Sequence, residues 1–549
     1  MSSRFLRLCS TLALALALPA TALAQHNSAD APFQTSVLWY EAGSLAAPAT
    51  PVIQEGSWIE VDWSGFDQWV ESVMAEWNIP GLAVAAVKDG QIVLSKGYGF
   101  RDVERGLPVT PQTLMAIGSN SKSFTAVILG QLVDEGKLEW DAPVRDYLPD
   151  FQLYDAVATR LMTPRDLLTH RSGLPRHDRV WIGRSYNRQE LYDRMRYLEP
   201  SASFRQRYQY QNLMFMTAGI LAERITGQSW EDLVEERIFQ PLGMTRSNTS
   251  ADDMPGSGDY SLPYMERAGV VVAVPMLNID AVGPAGSINS SVEEMMRYIQ
   301  MQIDQGSFQG RTLLSRESAL QMQSPQSANF SGTVESPDYP ELGPGGYGLA
   351  VGVSGYHGRK LVAHGGGIDG FISSMSWMPH ENAGVMVLTN FSGENPVPTI
   401  VMRQVYDRLL GLQPVDWVER TRAEQTEAQR QREERERARA AERISGTSPS
   451  HPLTELAGSY EHPAHGTIHI RAEGSGLVLH LDRYTVPLTH IHHNVFEGGV
   501  STDGGSRWNE MQVTFHYGAN GRINRIAIPL EPAVDDFVFM RIQVEAGAR

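Results

Sequence analysis

The stretch MAIGSNSKSFTAVILGQLV, residues 115–133, places a serine and a lysine three residues apart at the start of a long apolar run. The apolar residues recur at steps of three and four, which predicts a helix that is buried on most of its faces. Gly136 offers a stop for this helix. Ser119 is therefore expected at or just before the first turn, with Lys122 one turn further along.

The spacing of Ser119 and Lys122 suits nucleophilic catalysis. Residues at i and i+3 lie on one side of a helix, so the lysine amine is placed to take the serine proton if its pKa is lowered. Free N–H groups at a helix N-terminus also suit a developing oxyanion. An S-x-x-K match alone is a weak signal, and its position at the start of a buried helix strengthens it.

Composition places the chain among water-soluble globular proteins with more than one domain. It has 549 residues, of which 42% are apolar and 20% charged, and its net charge is −17. A chain of this length exceeds one hydrophobic core. The acidic balance argues against nucleic acid or anionic lipid as a partner. We find no run of eighteen apolar residues, so no membrane span is expected.

The N-terminus has the pattern of an export signal. Two arginines precede an apolar run from Leu12 to Leu18, and Ala22-Leu23-Ala24 is a small-residue cleavage site. Residues 1–24 are predicted to be a Sec signal peptide that is cut after Ala24, which makes the protein periplasmic or secreted. The one cysteine, Cys9, lies inside this segment, so neither a disulfide nor a cysteine metal site is expected in the mature chain.

Residues 25–57 are predicted to be an extended lead-in, and residues 58–414 to form one domain. Strand patterns occupy both ends of this domain, at 81–88 and 91–96 and again at 346–353, 360–364, 371–378 and 385–390, whereas the middle is helical. This order predicts an α+β fold, an α/β sandwich in which helices flank an antiparallel sheet and a helical subdomain is inserted.

Two further segments complete the chain. Residues 415–450 are dense in charge and lack an apolar seam, which predicts a solvated helical linker rather than a coiled coil. Residues 451–545 alternate in short runs between glycine-rich turns, which predicts a small all-β barrel of about eight strands. Nine histidines fall in this last segment, but no carboxylate pattern fixes a ligand set, so no metal site is predicted.

Two other motifs accompany the S-x-x-K pair. Tyr210-Gln211-Asn212 precedes an apolar helix, and His364 is followed by three glycines at the end of a strand. Taken singly, Tyr210 could be a core aromatic, Asn212 a helix cap and His364 a strand end. Their joint occurrence favours a catalytic constellation.

With S-x-x-K, Y-x-N and H-x-G in this order, residues 60–411 resemble the serine hydrolases of the penicillin-binding-protein and class C β-lactamase superfamily. Residues 453–541 resemble the lipocalin-like C-terminal domain of some members, including D-amino-acid-specific peptidases. The resemblance implies a β-lactamase/transpeptidase-like fold and a lipocalin-like barrel.

The resemblance also implies a role for each motif residue. Ser119 would be the nucleophile, Lys122 would share its proton, and Tyr210 would act as base or acid and protonate the leaving group. Asn212 would hold the substrate amide and orient Lys122. The backbone N–H groups of Ser119 and Gly367 would form the oxyanion hole, and Gly366 would leave room for the substrate at the strand edge. No metal or cofactor enters this chemistry.

The third motif narrows the substrate. His364 is largely neutral at pH 7, whereas a lysine there would give a fixed charge for a carboxylate. This disfavours an efficient β-lactamase and favours an esterase or a D-amino-acid peptidase. Together with the resemblance, it leads us to expect a D-amino-acid-specific peptidase or carboxypeptidase-like enzyme acting on a peptide or small molecule, with a carboxylesterase or a weak β-lactamase as the alternative. A non-catalytic peptide- or peptidoglycan-binding protein stays as a further alternative. The sequence is compatible with a homo-oligomer and leaves the role of the barrel open.

Overall fold

The computed structural model describes residues 61–267, 269–327, 339–501 and 508–543. The predicted signal peptide and lead-in, residues 1–57, lie outside the described residues. Helices α1 to α11 span Phe66–Glu76, Ser121–Asp134, Ala156–Leu161, Pro164–Leu167, Arg188–Arg194, Asn212–Thr226, Trp230–Val234, Gln240–Leu242, Val292–Ile303, Arg316–Met322 and Val397–Leu409. Strands β1 to β15 span Gly81–Lys88, Gln91–Asp102, Leu107–Pro108, Met115–Ala116, Tyr264–Arg267, Val270–Ala273, Asn289–Ser290, Ser307–Phe308, Arg311–Thr312, Leu342–Tyr347, Gly352–Tyr356, Arg359–Ile368, Phe371–Met378, Ala383–Thr389 and Phe391–Ser392.

An eight-stranded antiparallel sheet joins the two ends of this α+β unit, as predicted. Its strand order is β10-β11-β12-β13-β14-β1-β2-β3, so β1 from the start of the unit pairs with β14 from its end. Nearly every residue of β1 is buried, which explains its continuous apolar sequence. Asp89 and Gly90 both have positive φ in the tight turn to β2, the backbone that an Asp-Gly hairpin favours.

Helix α2, which carries the lysine of the first motif, is buried almost throughout its length. The ring of Phe124 stacks on Tyr298 of α9 at 3.9 Å between centroids. On another side of α2, the Trp230 indole donates a hydrogen bond to Thr125 at 3.0 Å. Packing on several faces holds the N-terminal end of α2 in place.

Two strand predictions near the third motif need correction. The single strand predicted at 346–353 is wrong, because β10 ends at Tyr347 and β11 begins at Gly352. Ala350 has φ 68° in the turn between them, a left-handed backbone that cannot continue a strand. The three glycines after His364 lie within β12 rather than after it. Their backbones continue the pairing with β13, up to Gly367 opposite Ile372.

The charge-dense segment forms helix α12, Trp417–Ala441, in which only Trp417 is buried. Ion pairs one turn apart lie along the helix, such as that between Arg437 and Glu433 at 3.5 Å. Arg432 of the same helix pairs with Glu394 of the preceding domain. The helix is therefore solvated along most of its length and is tied to the domain before it.

The C-terminal segment is a closed eight-stranded barrel, as predicted. A short helix α13, Leu453–Leu456, precedes strands β16 to β23, which span Gly458–His462, Gly466–Glu473, Gly476–Leu481, Tyr484–His492, Val495–Gly498, Gln512–Tyr517, Ile523–Ile528 and Phe537–Ile542. Each strand pairs with the next, and β16 closes the barrel against β23. Within the described ranges no three histidines or carboxylates are arranged to hold a metal ion.

In the part of the chain that the structure describes, no helix combines the length and the apolar character that crossing a bilayer requires.

Candidate active site

The serine and lysine of the first motif meet at the start of α2. Ser119 lies in a 3₁₀ turn, Gly118–Asn120, that leads into the helix, and its side chain is half-buried. The Lys122 Nζ donates hydrogen bonds to the Ser119 Oγ at 3.0 Å and to the carbonyl of Ala285 at 2.6 Å. Lys122 is fully buried, and this burial, aided by the positive charge of Arg176, holds the pKa of its amine well below the usual range. A neutral amine beside the hydroxyl is suited to accept the serine proton.

Tyr210 of the second motif lies against the same pair. The Lys122 Nζ is 4.8 Å from the centroid of the Tyr210 ring. Burial raises the pKa of the Tyr210 phenol, and the facing Ser119 hydroxyl offsets part of this rise. The phenol therefore keeps its proton at neutral pH and is suited to donate it to a leaving group.

His170, which the sequence analysis did not single out, packs against the second motif and accepts a hydrogen bond from its backbone. The His170 Nδ1 accepts a hydrogen bond from the backbone N–H of Gln211 at 3.0 Å, and the ring centroids of His170 and Tyr210 are 4.3 Å apart. Burial and the positive charge of Lys122 hold the pKa of His170 well below 6.5, so the ring is neutral and can accept this bond. His170 has φ 56°, a strained backbone for a non-glycine residue.

Asn212 is the first residue of α6, and it is Gln211 that caps this helix by accepting from the N–H of Leu213. The Asn212 Nδ2 donates to the Asp178 Oδ1 at 2.9 Å. Among the described residues Lys122 has Ser119 and Ala285 as its acceptors, and Asn212 is not one of them. The geometry therefore connects Asn212 to a carboxylate rather than to the lysine.

Asp178 and Arg176 were also missed by the sequence analysis. The Asp178 carboxylate accepts from Asn212, from the Trp181 indole at 3.0 Å and from the Arg176 Nε at 2.7 Å. The signal that could have pointed to them is the charged run Arg-His-Asp-Arg at 176–179, directly after the segment LLTHRSGLP. A loop has no periodicity, so nothing local showed which of these side chains would enter the site.

The glycines of the third motif allow β12 to pack closely against the 3₁₀ turn that contains Ser119, called here the serine turn. A Cβ at Gly366 would lie 1.9 Å from the carbonyl oxygen of Ile117, so only glycine fits there. The Ser373 hydroxyl of β13 donates to the same Ile117 carbonyl at 2.8 Å and accepts from the Asn120 side chain at 2.8 Å. A Cβ at Gly118 would lie 2.7 Å from the Gly367 nitrogen, which places that nitrogen beside the serine turn.

His364 lies in β12 with its ring fixed on both sides. The Nδ1 donates to the carbonyl of Gly365 at 2.5 Å, and the Nε2 accepts from the Tyr347 hydroxyl at 3.1 Å. Burial, followed by the charge of Lys122, lowers the pKa of His364 to about 3. His364 therefore supplies no positive charge at neutral pH.

These elements surround a cavity of about 270 Å³. Its walls include Ser119, Arg176, Asp178, Asn212, Gly367 and Asp369. The structure thus brings Ser119, Lys122, Tyr210 and Asn212 together at one cleft, with Gly366 and Gly367 along its strand edge and His364 further along the same strand.

The wall of the cleft that carries Arg176 and Asp178 has a second face, which contacts the C-terminal barrel. The backbone N–H of His177 donates to the Glu531 carboxylate at 2.8 Å. The Arg184 side chain, 2% exposed, forms an ion pair with Asp482 at 2.8 Å. Residues 176–184, called here the wall segment, are therefore held between the cleft and the barrel.

Comparison with known proteins shows the family. The Beta-lactamase family model matches residues 66–405, and the chain belongs to this family. It is a serine hydrolase of the β-lactamase/transpeptidase fold, as the three motifs predicted. A second model, described as a domain of unknown function (DUF3471), matches residues 442–543.

Two curated relatives illustrate the range of similar chains. The protein named unguisins hydrolase ungD′ from Aspergillus campestris is 29% identical over 500 residues, which cover 86% of this chain and 90% of the relative. Protein flp from Staphylococcus aureus is 25% identical over 61% of this chain and 64% of its own length.

Solved structures share the fold. The octameric penicillin-binding protein homologue from Pyrococcus abyssi aligns with a TM-score of 0.56 and 23% identity, covering 87% of this chain and all of that one. The D-amino acid amidase from Ochrobactrum anthropi SV3, complexed with L-phenylalanine, aligns with a TM-score of 0.52 and 24% identity, covering 63% of this chain and 98% of that one.

Proposed function

We propose that this chain hydrolyses amide bonds in short peptides that contain a D-residue, through an acyl-enzyme on Ser119. The observation that carries the proposal is the 3.0 Å hydrogen bond between the Lys122 amine and the Ser119 hydroxyl. Because Lys122 is buried and its pKa is depressed, its neutral form can take the serine proton as the oxygen attacks.

In the acylation step, the Ser119 Oγ attacks the substrate carbonyl carbon while its proton passes to the Lys122 Nζ. The backbone N–H groups of Ser119 and Gly367 bind the oxyanion of the tetrahedral intermediate, and each such donor contributes about 3 kcal/mol in serine hydrolases. The C–N bond then breaks, and the leaving amine takes a proton from the Tyr210 phenol, which Lys122 reprotonates.

In the deacylation step, water attacks the ester carbonyl and gives a proton to the same Lys122 and Tyr210 pair. The C–O bond to Ser119 breaks, the serine oxygen recovers a proton, and the carboxylic acid leaves. Each group thus returns to its starting protonation state without a metal or cofactor.

The substrate class rests on three lines of support. The neutral His364 does not offer the fixed charge that a lysine would give a β-lactam carboxylate. The relative from A. campestris, which aligns over both the catalytic unit and the barrel region, is named a hydrolase. The C-terminal barrel also resembles the lipocalin-like domain of some D-amino-acid-specific peptidases.

The test compares wild type with Ser119→Ala on matched D- and L-aminoacyl p-nitroanilides, p-nitrophenyl esters and a chromogenic cephalosporin. We expect the D-anilides to be hydrolysed at least about tenfold faster than their L-counterparts, a typical discrimination for a shaped pocket. Fluorophosphonate labelling followed by intact-mass measurement should give one adduct on wild type and none on the mutant. Equal rates on D- and L-anilides would contradict the D-residue preference.

A carboxylesterase is the second candidate, favoured by the same lack of fixed charge at His364. The p-nitrophenolate group leaves without being protonated, whereas an amine does not, so activity confined to the p-nitrophenyl esters would support this candidate over an amidase.

We also propose that residues 1–24 direct export. Cell fractionation and N-terminal sequencing of the mature protein test this, and a mature chain that retains Met1 would contradict it. A homo-oligomer stays a prediction, which light scattering on the purified protein would check.

A further inference from the structure

Arg176 stands in the wall of the cleft beside the reacting groups. It lines the same cavity as Ser119 and Asn212. Its guanidinium carbon is 4.8 Å from the centroid of the Tyr210 ring, and its charge lowers the pKa of Lys122. Arg176 is therefore close enough to the nucleophile to contact a bound substrate.

The carboxylate of Asp178, which pairs with Arg176, already accepts hydrogen bonds from protein donors. Asp178 has its Oδ1 engaged by Asn212 and Trp181 and its Oδ2 by the Arg176 Nε. The Asp178 side chain is 18% exposed, whereas the Arg176 side chain is 54% exposed. A substrate amine would thus find the acceptors of this carboxylate in use.

Arg176, by contrast, keeps donors for a ligand. Its Nε binds Asp178, and within the described part of the chain its two terminal amino groups form no hydrogen bond. A guanidinium presents these groups as a planar fork that fits a carboxylate. The terminal amino groups of Arg176 therefore face the cleft as cationic donors, and the bond from its Nε to Asp178 holds the guanidinium in position.

The other charged groups of the site do not supply this recognition. Lys122 is buried and bonded to Ser119 and Ala285, and His364 is neutral. Asp369, on the turn after β12, is an anion. Arg176 is the cation that a substrate anion would meet in the cleft.

We propose that Arg176 binds a substrate carboxylate next to the scissile bond, so that the preferred peptides carry a free C-terminal carboxylate or an acidic side chain there. This inference rests on the proposed function, and it assigns to Arg176 the carboxylate binding that the neutral His364 does not provide.

The test uses pairs of N-acetylated D-aminoacyl dipeptides that differ only in a free C-terminal carboxylate or a carboxamide. A second pair, with D-glutamate or D-glutamine as the residue next to the scissile bond, separates a side-chain carboxylate from a terminal one. The measured quantity is the ratio of kcat/KM for acid over amide within each enzyme, which cancels effects of a variant on the chemical step. Arg176→Gln and Arg176→Lys are compared with wild type. The matched control is Arg105→Gln, because Arg105 is an exposed arginine on the loop after β2 that likewise pairs with an aspartate, Asp102.

In wild type and Arg105→Gln, we expect kcat/KM for the acid to exceed that for the amide by about tenfold or more in one of the two pairs. A charge-assisted hydrogen bond gives a preference of this size. Arg176→Gln should bring that ratio close to one while still hydrolysing the amide, and Arg176→Lys should keep part of the preference. An unchanged ratio in Arg176→Gln, or a wild type that prefers the amide in both pairs, would overturn the proposal.

Failure of the proposed function would be distinguishable. If wild type is labelled by the fluorophosphonate but hydrolyses neither pair, the peptides are then tested as protectants against labelling. Stronger protection by the acid than by the amide in wild type, lost in Arg176→Gln, would support carboxylate binding without peptide hydrolysis. Equal protection by both would overturn the Arg176 proposal as well.

Discussion

The Asn212 amide donates a hydrogen bond to the Asp178 carboxylate across 2.9 Å. This bond joins the second motif to the wall segment, from which it is separated in the sequence. Asn212 is buried, so its orientation depends on the acceptor that it finds there. The position of the wall segment and the position of Asn212 are therefore coupled.

We expect Asp178→Ala to lower kcat/KM by about tenfold or more, because Asn212 and Trp181 both lose their acceptor and a buried donor without a partner costs about 1–3 kcal/mol. Asp178→Asn should recover part of the loss, since an amide oxygen can still accept from Asn212. Steady-state kinetics on the best anilide measures both. Asp304→Ala, at an exposed aspartate after α9, should behave as wild type. Full activity in Asp178→Ala would show that Asn212 does not need this carboxylate.

The pH profile should report the buried lysine. Protonated Lys122 cannot accept the serine proton, so kcat/KM is expected to rise with pH through the depressed pKa of this amine. The positive charge of Arg176 disfavours protonation of Lys122, so its removal in Arg176→Gln should raise that pKa and move the acid limb to higher pH. The control Arg105→Gln should leave the limb in place. A shift to lower pH, or none, would contradict this electrostatic assignment.

Two adjacent glycines of β12 should differ sharply in their tolerance of a methyl group. A Cβ at Gly366 would overlap the Ile117 carbonyl at 1.9 Å, whereas a Cβ at Gly365 would have its nearest neighbour at 3.8 Å. We expect Gly366→Ala to lose about 1–3 kcal/mol of unfolding free energy, as overpacking does, together with fluorophosphonate labelling. Gly365→Ala should retain both stability and labelling. Denaturant unfolding and intact-mass measurement compare the two, and equal stability would argue against close contact at Ile117.

The contact between the wall segment and the barrel can be tested at Gly183. Gly183 and Gly65 both have φ 68°, so an alanine at either position carries a similar backbone strain of roughly 1–2 kcal/mol. A Cβ at Gly183 would also lie 2.1 Å from the Tyr484 hydroxyl of the barrel, whereas Gly65 has open space. We therefore expect Gly183→Ala to be less stable than Gly65→Ala and to raise KM, because the wall segment must move. Thermal unfolding and kinetics check this, and indistinguishable variants would show that barrel and cleft are independent.

Much of the site could be predicted because its motifs coincide with regular structure. Ser119 and Lys122 lie at the start of a helix whose apolar period is visible, and Tyr210 and Asn212 lie at the start of another such helix. The antiparallel sheet followed from strand patterns at both ends of the catalytic unit.

The rest depended on long-range contacts that carry no local pattern. Arg176 and Asp178 lie in a segment whose conformation is set by the cleft on one side and the barrel on the other. His170 acts through a backbone N–H 41 residues further along the chain, and periodicity does not report such a contact. The glycines of β12 suggested a strand end, whereas in the structure they permit the close approach of the Ile117 carbonyl.

The contact between the serine turn and β13 has a consequence for biosynthesis. The Asn120 and Ser373 side chains that join across it are 253 residues apart in sequence, and Lys122 and its acceptor Ala285 are 163 apart. A nascent chain that has emerged only as far as α10 contains Ser119 and Lys122 but neither β12 nor β13. The chain must therefore be synthesised as far as β13 before the turn that carries Ser119 can gain its contacts with β12 and β13.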